Sequence, residues 1–172
     1  MRCKMADLLV KLYDIKDCPE LYDELEKKDI HIVRVLSPDK FKVLDFIEET
    51  FSKGWRSECE AGFYNTPVSV FAAVTNKKVI GFAAYDATAR GFFGPTGVAA
   101  EYRRMGVGRA LMTKCFISMR EYGYGYAIIG WAAGSAKHFY EEFAGAVEIP
   151  DSFPGVYSRY INVVCKDDKG EM

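Results

Sequence analysis

The sequence predicts an α/β protein built on one mixed β-sheet flanked by helices. Short apolar segments bounded by polar turns are typical of strands, other segments repeat apolar residues at helical period, and the two kinds alternate along the chain. A chain of 172 residues, 49% of them apolar and 27% charged, suits one globular domain with a substantial core. The interleaved order favours helices packed on both faces of the sheet.

The first half of the chain is expected to hold two strands and two helices in alternation. The Ser37-Pro38 pair is typical of a helix start, because serine suits the N-cap and proline the first helical position. The predicted strands are 8–15 and 30–36, and the predicted helices are 19–28 and 37 to about 54.

The second half is expected to begin with consecutive strands and to continue with alternating helices and strands. A polar hairpin turn at 75–78 joins the first two strands. The predicted strands are 68–74, 79–85, 92–100, 126–131, 147–149 and 156–164. The predicted helices run from the turn 103–108 to about Gly123 and from 135 to 143.

Composition excludes several classes of protein. The net charge of −1 argues against a strongly basic nucleic-acid binder or a polybasic membrane binder. The apolar run 79–85 is far too short for a membrane span, and the N-terminal segment lacks the apolar stretch of a signal peptide. Five widely spaced cysteines without a CxxC pair, and two histidines, predict neither disulfides nor a metal site. A cytoplasmic protein without metal is therefore expected.

The segment from Gly97 to Leu111 is the first candidate for a binding site. Nine of the 15 glycines lie between Gly91 and Gly134, and none precedes Gly54. The segment is predicted to run from a strand through a tight turn into a helix, whose first amides lack intrahelical partners. Glycines there let a phosphate oxygen approach the backbone.

Three arginines stand at the same turn as Gly106 and Gly108. They are Arg103, Arg104 and Arg109. Positive charge beside free helix amides favours a pyrophosphate site. The competing interpretation is a glycine turn with solvated arginines. The turn lacks the Gly-Lys-Ser/Thr of a P-loop, and Met112 occupies the third small position of a dinucleotide motif.

Two motifs resemble the GNAT superfamily of acetyltransferases. Arg103-x-x-Gly106-x-Gly108 matches that family's R/Q-x-x-G-x-G/A signature, with Val98 five residues before the arginine. The segment 136–146 resembles the family's later A-x-x-x-Y segment, with Tyr140 at the tyrosine. The resemblance covers roughly residues 30–164. It implies a GNAT domain over 30–172, preceded by a strand-helix extension over 1–29 that extends the sheet or covers an edge.

The resemblance implies acetyl-CoA as co-substrate, bound in a gap between splayed parallel strands, here 92–100 and 126–131. It implies that the backbone of Thr96 and Val98 binds the acetyl and pantetheine parts. The pyrophosphate would lie on the turn. The turn residues implied are Arg103, Arg104, Met105, Gly106, Val107, Gly108 and Arg109.

The resemblance also suggests catalytic residues. Tyr140 matches a tyrosine that can protonate or hold the leaving thiolate. Phe92 stands where some members carry a glutamate base, and Ala133 where many carry an asparagine. Asp86 is the best replacement for the base, although an aspartate that merely begins a loop explains it equally well. Deprotonation of the amine through water is a third option.

The expected function is therefore an N-acetyltransferase acting on a primary amine of a small molecule or peptide. Three aromatic residues are candidates for the acceptor pocket: Trp55, Tyr85 and Trp131. A catalytically weak acyl-CoA-binding sensor or interaction module is the alternative. A homodimer is left open.

Overall fold

The computed structural model describes residues 5–161. The strands are β1 Ala6–Lys11, β2 His31–Arg34, β3 Val70–Thr75, β4 Lys78–Tyr85, β5 Phe92–Val98, β6 Tyr126–Ala132 and β7 Val147–Glu148. The helices are α1 Pro19–Glu26, α2 Lys40–Thr50, α3 Lys53–Glu60, α4 Val107–Glu121 and α5 Gly134–Ala144.

The described strands form one seven-stranded sheet in the order β2-β3-β4-β5-β6-β1-β7. Every pair is antiparallel except β5 with β6, which is parallel. Residues of β3 alternate between two cores: Phe71 faces the one built around α4, and Ala72 the one built around α2. Helices thus cover both faces of a mixed sheet, and the predicted α/β fold is confirmed.

The parallel strands β5 and β6 pair over two residues only. Phe92 lies opposite Ile128 and Phe93 opposite Ile129. The next residues of β5 are Gly94 and Pro95, and a proline has no N–H to continue a ladder. Beyond this point β5 pairs with β4 alone, so its other edge faces an open gap toward β6.

The N-terminal strand β1 lies inside the sheet, not at its edge. It pairs antiparallel with β6 on one side and β7 on the other. Leu8 and Val10 are fully buried in the core around α4. The expectation that this segment extends the sheet or covers an edge is therefore corrected, because β1 separates two later strands.

Three predicted elements differ from the structure. The strand predicted at 8–15 is wrong over 12–14, where Leu12–Asp14 forms a 3₁₀ helix. The helix expected to continue from residue 37 to about 54 is two helices, since α2 ends at Thr50 and α3 begins at Lys53. Ser52 caps α3 by accepting a hydrogen bond from the Trp55 amide at 3.1 Å. The strand predicted at 156–164 is wrong over 156–159, where Gly155–Arg159 forms a 3₁₀ helix. Residues 162–164 lie outside the described part.

Candidate active site

A cavity of about 980 Å³ opens where β5 and β6 separate. Its walls come from β5, β6, α3, α5, the start of the loop after β4 and the segment 157–161. The lining side chains of most interest are Trp55, Glu58, Thr96, Trp131, Tyr140, Tyr157, Arg159 and Tyr160.

The N-terminus of α4 has no side-chain cap. Gly106 stands at its N-cap with φ +88°, and the first intrahelical bond runs from the Ala110 amide to the Gly106 carbonyl at 2.9 Å. The side chains of Arg103, Arg104 and Arg109 are exposed around this end. Free amides and three cations make it a place where an anion can bind.

The fold itself requires glycine at position 106 but leaves room for a side-chain atom at position 108. A Cβ on Gly106 would lie 2.6 Å from Leu21 Cδ1 of α1, in a backbone conformation that L-residues rarely adopt. A Cβ on Gly108 would meet Val98 Cγ2 at 3.7 Å and Phe139 at 3.9 Å, which are ordinary contacts. Val98 ends β5 and Phe139 lies on α5, so Gly108 faces the side of the turn next to the gap.

The other predicted binding residues surround this turn and the gap. The Thr96 hydroxyl donates to the Phe82 carbonyl at 3.0 Å, and Arg103 Nε donates to the Val98 carbonyl at 3.0 Å. The Arg109 guanidinium lies 5.1 Å from the centre of the Phe143 ring. The Val107 side chain is buried in the core, and that of Met105 is partly buried against it.

Tyr140 extends from α5 into the cavity and is 8% exposed. Its ring meets Phe93 of β5 edge to face at 6.0 Å. Its hydroxyl has no hydrogen-bond partner among residues 5–161. Burial raises the pKa of this hydroxyl, which therefore stays protonated at neutral pH.

The structure does not bring Asp86 or Tyr85 into the cavity lining. Asp86 Oδ1 accepts from the Gly91 amide at 2.6 Å, and Oδ2 accepts from the Tyr124 hydroxyl at 2.9 Å. Both oxygens therefore brace the loop between β4 and β5. The buried Tyr85 hydroxyl pairs with Ser118 Oγ of α4 at 2.8 Å.

Both predicted tryptophans line the cavity. Trp55 is 38% exposed. Trp131 stacks on Phe153 at 5.5 Å and lies 4.2 Å from the Tyr157 ring, and its Nε1 donates to the Pro154 carbonyl at 3.2 Å. Trp131, Phe153, Tyr157 and Tyr160 form one aromatic cluster beside the gap.

Glu58, Tyr157 and Tyr160 line the cavity, although the sequence did not single them out. Glu58 accepts a hydrogen bond from the Thr88 hydroxyl. Burial first, and then the Glu58 charge, raises the pKa of both tyrosine hydroxyls. The sequence pattern predicts one helix that ends near residue 54, so it does not place Glu58 on a helix. Ser52 before Lys53 is nevertheless an N-cap signal for α3.

A sequence model described as "Acetyltransferase (GNAT) family" matches residues 33–146, which is more than half of the chain. The chain belongs to the GNAT acetyltransferase family. The segment that matches the GNAT family holds both the turn at Gly106 and Tyr140. No curated protein matches the chain.

Solved structures share the GNAT fold with this chain. One is a GCN5-related glucosamine N-acetyltransferase region in a fungal multi-domain GH3 β-N-acetylglucosaminidase, at 17% identity and TM-score 0.66. Two are GCN5-related N-acetyltransferases, from Sphaerobacter thermophilus (19%, 0.65) and Kribbella flavida (16%, 0.57). Each match covers 84% of this chain but only 20%, 48% and 54% of the other chain. At these identities the likeness shows the fold alone.

Residues 5–161 hold neither a candidate metal cluster nor a candidate membrane-spanning helix. No three His, Cys, Asp or Glu side chains gather there as a group that could hold a metal ion. No helix in this part of the GNAT protein is both long and apolar enough to cross a membrane.

Proposed function

We propose that this protein transfers the acetyl group of acetyl-CoA to the primary amine of a small molecule or peptide. The observation that carries the proposal is the gap between β5 and β6. The uncapped end of α4 lies beside it at Gly108, and the protonated Tyr140 hydroxyl lies in the cavity that it opens. One site thus combines an anion-binding end with a proton donor.

Two parts of the gap would bind different parts of acetyl-CoA: the N-terminus of α4 and the free edge of β5. The helix-end amides from Arg104 to Arg109, with the three exposed arginines, would hold the pyrophosphate. The free edge of β5 at Thr96 and Val98 would offer backbone hydrogen bonds to the pantetheine arm and the acyl carbonyl. Acetyl-CoA, when bound, supplies an activated thioester.

Tyr140 is the proposed proton donor to the departing sulfur. A donor must hold its proton until the thiolate forms, and the raised pKa keeps the hydroxyl protonated. The absence of a competing hydrogen bond within residues 5–161 leaves the hydroxyl free to point at the sulfur. A backbone amide of β5 near Thr96 would stabilise the negative oxygen that develops on the carbonyl carbon.

The acceptor ammonium must lose a proton before or during attack, because an alkylammonium is protonated at neutral pH. Two carboxylates are candidates for accepting it. Glu58 lines the cavity, whereas both oxygens of Asp86, the carboxylate predicted from the sequence, serve the loop. We therefore place Glu58 ahead of Asp86 as the base.

We also propose a cytoplasmic location. Cys18, Cys59 and Cys115 are free and buried, which suits a reducing compartment. Burial raises the pKa of Cys59 to about 12 and that of Cys115 further, so both remain unreactive thiols.

A thiol-release assay with acetyl-CoA and a panel of primary amines tests the activity. Release that depends on an amine, with the acetylated amine found by mass spectrometry, would support it. An acyl-CoA sensor is the second candidate, because Phe92 and Ala133 replace polar residues common in the family. Tight CoA binding by calorimetry without transfer to any amine would favour the sensor.

A further inference from the structure

One end of the cavity combines a single carboxylate with aromatic rings. Glu58 and Trp55 lie three residues apart on α3, and both line the cavity. The Tyr157 and Tyr160 rings line it from the 3₁₀ segment. The Glu58 charge helps to raise the pKa of both tyrosine hydroxyls, so the carboxylate and the two hydroxyls belong to the same part of the cavity.

Among residues 5–161 the Glu58 charge has no cationic partner. Its recorded hydrogen bond comes from Thr88, and no lysine, arginine or histidine within residues 5–161 forms an ion pair with it. Arg159 also lines the cavity, but it is exposed and makes no such pair. A carboxylate that has no counterion in residues 5–161 and shares a cavity with aromatic side chains attracts an organic cation.

We propose that the acceptor is a primary amine carried on an aromatic body. This inference rests on the proposed N-acetyltransferase activity. The ammonium binds at Glu58, and the aromatic body lies against Trp55 and Tyr160. These two rings are 38% and 47% exposed, so they still have surface to offer a ligand, whereas Tyr157 is already buried.

The same wall disfavours two other classes of amine. Glu58 is the only carboxylate in the described lining, so the second ammonium of a polyamine would lack a partner. An amino sugar has no aromatic ring to lay against Trp55 and Tyr160, so it would bury less apolar area there.

Calorimetry on the CoA-saturated protein tests this class directly. We expect 2-phenylethylamine to bind at least about tenfold more tightly than n-butylamine, spermidine or glucosamine, because only its ring buries apolar area against aromatic faces. Glu58→Gln should weaken 2-phenylethylamine and n-butylamine alike, by about tenfold or more, because both carry the ammonium. Tyr160→Leu should reduce only the difference between them. Glu24→Gln, an exposed change on α1, is the matched control.

The thiol-release assay on the same amines separates the two proposals. Acetyl transfer with equal affinity for all four amines, or with tighter spermidine or glucosamine, would overturn the aromatic class and leave the activity standing. Transfer to 2-phenylethylamine with the expected ranking supports both. Binding with the expected ranking but no transfer would overturn the activity and, with it, the acceptor role. Affinity unchanged by Glu58→Gln would overturn the role of that carboxylate.

Discussion

Tyr140 presents a hydroxyl without a hydrogen-bond partner in residues 5–161 to the cavity where two strands separate. The hydroxyl holds its proton at neutral pH, so it can donate to the departing sulfur. Substitution of Tyr140 therefore tests directly whether its hydroxyl donates a proton to the departing thiolate.

Tyr140→Phe should lower kcat by about 10²- to 10⁴-fold, the usual contribution of a positioned acid. Acetyl-CoA affinity should change little, because phenylalanine keeps the ring and its contact with Phe93. Steady-state kinetics and calorimetry measure the two quantities. Tyr126→Phe removes an exposed hydroxyl from β6 and is the control. An unchanged kcat with chemistry rate-limiting would make Tyr140 structural.

The base is tested by comparing Glu58→Gln with Asp86→Asn. Each change keeps the shape of the side chain and removes its ability to accept a proton. We expect Glu58→Gln to lower kcat, most strongly at low pH, where deprotonated amine is scarcest. Asp86→Asn should instead lower the thermal midpoint by weakening the bonds to Gly91 and Tyr124. The reverse pattern in pH–rate profiles would identify Asp86 as the base.

At the scale of elements, the N-terminus of α4 was predictable and the wall formed by α3 was not. The turn carries its chemistry in consecutive residues, Arg103 to Arg109, so a linear pattern reveals it. Glu58 belongs to a helix whose second residue is Gly54, and a glycine there is easily interpreted as the end of the previous helix. The Ser52 cap shows that the signal was present but weaker.

Substitution of Gly108 should affect CoA binding, whereas substitution of Gly106 should affect the free energy of unfolding. Gly108→Val should abolish CoA binding, because a branched side chain would occupy the phosphate position, whereas a Cβ there meets only ordinary contacts within the fold. Gly106→Ala should lower the free energy of unfolding by more than about 1 kcal/mol, because it forces a side chain onto Leu21 at positive φ. Calorimetry and thermal melts measure the pair. Unchanged CoA affinity in Gly108→Val would contradict the phosphate assignment.

At the scale of the whole molecule, the position of β1 could not be predicted. Its alternation predicts a strand but does not name a partner, and the observed partners lie more than 110 residues away along the chain. The same limit hid the aromatic cluster, because Trp131 and Tyr157 meet only through tertiary structure. The local sequence pattern thus predicts most helices and strands. The aromatic side of the cavity depends instead on contacts between residues that are far apart in the sequence.

Asp7 of β1 forms hydrogen bonds with β6 and with the segment 149–152. The carboxylate is 6% exposed, and its Oδ1 accepts from the Trp131 amide at 3.1 Å. Its backbone amide donates to Ser152 Oγ at 2.8 Å, and its carbonyl accepts from the Ile149 amide at 2.8 Å. One residue of β1 therefore holds β6 at the aromatic cluster and the segment that leads to Tyr157.

Asp7 should also make stability depend on pH. Burial raises the pKa of Asp7, and the Trp131 amide only partly opposes this. The folded state then holds a proton that the unfolded chain releases near the usual value of 3.8. The stability that Asp7 contributes in acid is thus lost as pH rises from that value through the raised folded pKa.

Asp7→Asn stays neutral, so its thermal midpoint should rise relative to the parent between about pH 4 and pH 7. Thermal melts across this range measure the difference, with Asp23→Asn on the exposed face of α1 as the control for charge. A difference that falls with rising pH would mean that the bond to the Trp131 amide outweighs burial and holds Asp7 ionised.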